Sequence, residues 1–210
     1  KPFLLYVSHK GVHADFLPPD RHAFKYDEVL IPTPPTPLSQ PTLFTDPPMW
    51  VRNQSNSRHG VEFAYYTGVD MKKYYRRYCE ALLAVDDSVG RLLENLRKSG
   101  ELEDTVVLYL GDNGFIFGEH GLIDKRCAYD ESIRIPMLMR YPKSLKPGTK
   151  VEKIVANIDV APTLLEVAGL KSKERMDGES FWQLAKGKGS SDWRKYLLYE
   201  YYWERNYPQT

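Results

Sequence analysis

A helix of about seven turns followed at once by a buried strand constrains this chain more than any other feature. Tyr78, Leu82, Val85, Val89, Leu92 and Leu96 alternate steps of four and three, so one face of a helix over Met71 to Ser99 is apolar and packs. Asp70 suits its N-cap and Gly100 its C-terminal stop. Thr105 to Leu110 is then a near-continuous β-branched and aliphatic strand, a second apolar strand spans Ile135 to Arg140, and a helix over Val160 to Ala168 is capped by Asp159. That rhythm predicts an α/β sandwich with a mostly parallel sheet. Pro2 to Ser8 reads as a further strand covered on both faces, and Tyr196 to Trp203 as an aromatic one.

Between Ile31 and Pro48 seven prolines remove backbone donors, so residues 31 to 60 are expected to form an irregular surface loop or, alternatively, an interdomain linker. No run approaches the roughly 20 apolar residues of a membrane span. Lys plus Arg number 29 and Asp plus Glu 28, a net charge of +1 that gives no reason to expect a nucleic-acid partner, so any anion site must be local. The two cysteines, Cys79 and Cys127, make neither a disulfide framework nor a zinc site. The start at Lys1, directly before a strand-like run, reads as a piece of something longer.

In such sheets polar groups that do chemistry collect past the carboxyl ends of strands, where His13 and Asp112 are expected. Gly111-Asp112-Asn113-Gly114 puts a carboxylate and an amide carbonyl side by side at a strand end. These are hard oxygen donors suited to calcium or magnesium, although the same residues also suit an ordinary turn and fall short of a full calcium shell. Downstream, Gly118-Glu119-His120-Gly121 and Asp124-Lys125-Arg126 add an imidazole and two cations. Lys125 is a compact charge for a tetrahedral oxyanion, and Arg126 favours bidentate contacts. His9 or His13 could donate to the leaving oxygen of an anionic ester. A convincing nucleophile is missing.

The strings Ser8-His9-Lys10-Gly11-Val12-His13, Leu83-Ala84-Val85-Asp86-Asp87-Ser88-Val89, Gly111-Asp112-Asn113-Gly114, Asp124-Lys125-Arg126, Ile133-Arg134-Ile135-Pro136, Ala156-Asn157-Ile158-Asp159-Val160-Ala161-Pro162-Thr163 and Met176-Asp177-Gly178 resemble the type I sulfatases. Within them the likeness is to glycan sulfatases of the N-acetylglucosamine-6-sulfatase kind. The resemblance implies an alkaline-phosphatase-like three-layer α/β fold, present as a partial domain, and hydrolysis of a sulfate monoester on glycosaminoglycan-type sugars. It makes Asp112 and Asn113 calcium ligands, with magnesium as the other option. By that likeness Lys125 is expected to hold the sulfate and the bridging oxygen, and His13 to contact the sulfate. His9, His120 and Arg126 are substrate-side candidates.

The family's formylglycine arises in a Cys/Ser-x-Pro/Ala-x-Arg motif, which neither Cys79-Glu80-Ala81 nor Cys127-Ala128-Tyr129 matches. Residues 1 to 210 therefore look like the C-terminal portion of a catalytic domain, inactive without its N-terminal part. By the same likeness the protein is exported, to the periplasm, the exterior or the lysosome. A phosphodiesterase or phosphatase of the same superfamily, and a non-catalytic glycan-binding fragment, are the rival readings.

Overall fold

The computed structural model describes residues 1–13, 15–34, 70–189 and 191–201. Along them run helix α1 (Met71–Lys98), strands β1 (Val107–Leu110), β2 (Ile116–Phe117) and β3 (Ile123–Asp124), helix α2 (Asp130–Ile133), strand β4 (Met137–Arg140), and helices α3 (Val160–Val167) and α4 (Trp182–Ala185). They fall into two compact units. One takes the described residues of Lys1–Ser99 and Gly114–Ile133 with Tyr201, the other Gly100–Asn113 and Arg134–Glu200.

Helix α1 is the spine of the first unit. The Asp70 carboxylate accepts from the Lys72 and Lys73 amides at 2.9 and 3.2 Å, satisfying two of the helix's orphan donors, and Gly100 leaves the helix at φ +75°. Tyr74, Ala81 and Val85 are buried, while Val89, Leu92 and Leu96 farther along the same face are only half covered. The Phe16 ring is the centre of the packing. It stands 4.5 Å from Tyr74, 5.3 Å from Tyr78, 5.5 Å from Phe115 and 5.7 Å from Phe117, with tilted or edge geometries that suit aromatic quadrupoles. Burial, reinforced by the charges of Asp15 and Asp124, pushes the Tyr74 hydroxyl up to about 12.

Polar clamps tie the loop before the proline-rich stretch to α1. Arg76 donates twice to the Val29 carbonyl, at 3.2 and 2.8 Å, and the buried Glu80 carboxylate accepts from the Tyr26 amide at 3.2 Å. Strands β2 and β3 form an antiparallel hairpin, closed by a Gly118 amide to Leu122 carbonyl bond of 2.9 Å.

In the second unit β1 pairs antiparallel with β4, Val107 facing Arg140 and Leu110 facing Met137. Phe181, Leu184 and Trp193 form its core, with Met137, Met139, Val155 and Ala185 against them. The Trp193 indole donates to the Ile154 carbonyl at 2.7 Å, so even its polar edge is satisfied.

Several expectations shift here. The mixed α/β class stands, but both strand pairings among the described residues are antiparallel. Parallel neighbours need a crossover, usually helical, and the chain between β1 and β4 carries only the hairpin and the single turn of α2. Pro2 to Ser8 is not a strand: Leu4 and Tyr6 are 81% and 87% exposed, and no ladder partner faces the segment among the described residues. His13 accordingly follows no strand. Likewise Tyr196, Leu197 and Leu198 are exposed and outside any strand, while Tyr202 and Trp203 lie outside the described residues. Of the proline-rich loop only residues 31–34 are described, and they carry no regular structure; 35–60 lie outside the described residues. Asp159 precedes α3 but makes no capping bond to it, because its carboxylate is engaged elsewhere.

Candidate functional site

Strand β1 ends at Leu110, and the chain turns directly into Asp112 and Asn113, whose side chains are exposed. Asp112 Oδ1 accepts the Asn113 amide at 2.9 Å, and its Oδ2 has no partner among the described residues. The Asp112 main-chain oxygen accepts the Asn157 side-chain amide at 3.0 Å. A carboxylate oxygen left open beside an amide carbonyl is a donor set that fits a hard divalent cation. Two donors are too few, and among the described residues no group of three or more His, Cys, Asp or Glu side chains could hold a metal ion. The remaining ligands would have to come from elsewhere.

The other candidates belong to the first unit. Lys125 follows β3 and is half-buried. Its backbone is anchored by the Ser132 hydroxyl, itself 1% exposed, which donates to the Lys125 carbonyl. The ammonium has no hydrogen bond or ion pair among the described residues. Arg126 differs: its Nη1 is paired with the buried Asp124, whose backbone is left-handed at φ +128°. That bond commits part of the guanidinium to structure.

The three histidines differ. His120, at φ +56°, stacks on Tyr129 with centroids 4.0 Å apart and Nε2 lies 3.1 Å from Glu131 Oε2. Its ring is therefore fixed on two sides. His9 Nε2 meets the Ser88 hydroxyl of α1 at 2.9 Å, a tie between loop and helix. His13 is exposed, and its amide donates to the Lys10 carbonyl at 3.0 Å in a tight turn.

One functional-looking pair has no counterpart in the sequence reading. His22, 7% exposed, places Nε2 2.7 Å from Asp87 Oδ2, which also accepts Arg21 Nε at 2.9 Å; His22 Nδ1 is buried with no hydrogen-bond partner among the described residues. Hydrogen bonds from His22 and then Arg21 hold the Asp87 carboxyl below the usual carboxylate range. The partners lie 65 positions apart, so no local pattern announces them. Burial pushes both Cys79 and Cys127 thiols up, which disfavours the thiolate a nucleophile needs. This agrees with their lack of a modification motif.

Residues 118–210 match the model of the N-sulphoglucosamine sulphohydrolase C-terminal family. The chain is 39% identical over 167 residues to an N-acetylglucosamine-6-O-sulfatase of Bacteroides thetaiotaomicron, a match covering 74% of this chain and 30% of that protein. It is also similar to a structure solved in complex with its substrate D-glucosamine-2-N,6-O-disulfate, with a TM-score of 0.73 and 29% identity, over 93% of this chain and 50% of the other. A phosphonate monoester hydrolase from Silicibacter pomeroyi shares the fold, with a TM-score of 0.66 and 24% identity over 85% of this chain and 37% of the other. The chain thus spans about a third of the curated relative and half of the solved one.

Proposed function

Because this chain is a relative of the type I sulfatases and matches their C-terminal part, we propose that it carries one share of the active site of a sulfuric ester hydrolase acting on sulfated sugars, of the 6-O-sulfated N-acetylglucosamine type. The observation that carries this reading is the likeness, over 93% of the chain, to a structure holding a sulfated glucosamine.

Asp112 and Asn113 offer two of the oxygen donors for calcium, or magnesium in its place. The ion, when bound, supplies positive charge to polarise the sulfate oxygens. Lys125 would neutralise charge on the sulfate and on the bridging oxygen as the sulfur–oxygen bond breaks. His13 would contact the sulfate and can hold the proton that the departing sugar oxygen takes up. His120, whose ring is held by Tyr129 and Glu131, would be a substrate-side contact, with His9 and Arg126 in lesser roles because both already serve the fold. The nucleophile, a formylglycine, and the remaining metal ligands belong to a part of the catalytic domain outside this chain. Like glycan sulfatases generally, the protein works outside the cytoplasm; no described helix is long and apolar enough to cross a membrane.

The test is a side-by-side assay of the complete enzyme on 6-O-sulfated N-acetylglucosamine, its 6-phosphate analogue and a phosphonate monoester. Preferential sulfate release is expected. Preferential phosphate or phosphonate cleavage would favour the phosphohydrolase reading that the shared fold keeps open.

A further inference from the structure

The segment Ala156-Asn157-Ile158-Asp159 is tied down from several sides. The Asp159 carboxylate, with no exposed surface, accepts the Ala156 amide at 2.8 Å and the Glu179 amide at 2.8 Å, and takes both terminal nitrogens of Arg194 at 2.9 and 2.5 Å. A carboxylate with four donors, two of them a guanidinium fork, is an anchor of high geometric definition. Gly178 closes against the same turn, so tightly that a Cβ there would stand 2.0 Å from the Ile158 carbonyl oxygen. Asn157 sits between these fixed points, and its side-chain amide is the group that reaches the Asp112 carbonyl at 3.0 Å.

From this we propose that Asn157 is a positioning residue for cation binding: it pins the main chain of the Asp112–Asn113 turn, braced from behind by Asp159, Arg194 and Gly178. The proposal rests on Asp112 being a metal ligand. The physical need is plain. Asp112 follows a strand end, its side chain is exposed, and one carboxylate oxygen is turned onto the next amide. With no tie at its carbonyl the turn could rotate its two donors apart. Asn157 supplies that tie from a turn anchored by the Asp159 carboxylate and closed by Gly178, as groups behind metal ligands commonly do. Only a hydrogen-bond donor serves there, because the partner is a carbonyl oxygen.

Calcium titration calorimetry on the complete enzyme, with no substrate present, tests this. Asn157→Ala is expected to weaken calcium binding about 10-fold, the lower end of what losing such an outer contact costs. Asn157 is exposed, so truncation leaves the core packing intact; the thermal midpoint of the calcium-free protein should move little, and turnover should return when calcium is raised. Asn157→Gln, which retains the amide donor, is expected to recover part of the loss. A calcium affinity within twofold of the parent in Asn157→Ala, while Asp112→Ala loses binding, overturns the positioning role and leaves the ligand assignment standing. A Gln variant as weak as the Ala one overturns the hydrogen bond as the cause. Unchanged affinity in Asp112→Ala removes the ligand assignment, and the positioning role falls with it.

Discussion

Arg194 and Asp159 face each other through two hydrogen bonds, Nη1 to Oδ2 at 2.9 Å and Nη2 to Oδ1 at 2.5 Å, around a carboxylate that solvent does not reach. Removing the guanidinium leaves a buried charge with only backbone donors. Arg194→Ala should lower unfolding stability by about 3–5 kcal/mol, the range for stripping one partner from a buried pair. Urea denaturation at neutral pH measures it. Arg194→Lys should recover only part, since an ammonium cannot reproduce the two-pronged contact.

Gly178→Ala should be harmful despite its small size. The added carbon would lie 2.0 Å from Ile158 O, 2.4 Å from Ile158 C and 2.8 Å from Asp159 N, all backbone atoms that no rotamer change can clear. A loss of about 1–3 kcal/mol or more is expected, as for forced overpacking. A melting curve indistinguishable from the parent would show that the two segments separate readily.

Acid should loosen the tie between the His22 loop and α1. The Asp87 carboxyl is held below its ordinary value of 3.8, first by His22 and then by Arg21. A carboxyl depressed in the folded state contributes stability that is fully present above its unfolded pKa and is lost as pH falls through the folded one. The urea midpoint should therefore drop below about pH 4 in the parent. In Asp87→Asn the midpoint should be lower at neutral pH, and the gap between the two proteins should narrow on acidification. A gap independent of pH would exclude Asp87 as the titrating group.

Lys125→Ala in the complete enzyme should reduce kcat by about 100-fold or more, the scale of losing one group aimed at developing charge. Its ammonium has no competing partner among the described residues, so the substitution should leave thermal stability nearly unchanged. Near-parent turnover would take Lys125 out of the site.

What was legible in the sequence was whatever is decided locally. The Asp70 cap, the step pattern of α1 and the Gly100 stop lie within one element, and their readings agree with the helix Met71–Lys98. The strand running into Gly111-Asp112-Asn113-Gly114 was equally readable, because β-branched residues and a flexible turn adjoin. Asp159 defeated the same logic. Its position before α3 reads as a cap, yet its partner Arg194 lies 35 positions away, and a bidentate cation outbids a helix amide. The His22–Asp87 pair was hidden for the same reason. Pro2 to Ser8 has strand composition, but composition records only which residues suit a covered pleat, and covering layers come from tertiary context.

Phe16 bears on where a candidate imidazole stands. Its backbone takes φ +47°, a left-handed conformation that disfavours an L residue by about 1–2 kcal/mol, while its ring is wedged among four aromatic neighbours and its amide reaches back to the His13 carbonyl at 3.3 Å. Ring contact thus overrules main-chain preference three residues from His13. The turn that carries that histidine is tied through its carbonyl to a residue held by aromatic contact, so reshaping the nest around Phe16 should shift the His13 main chain with no polar residue altered.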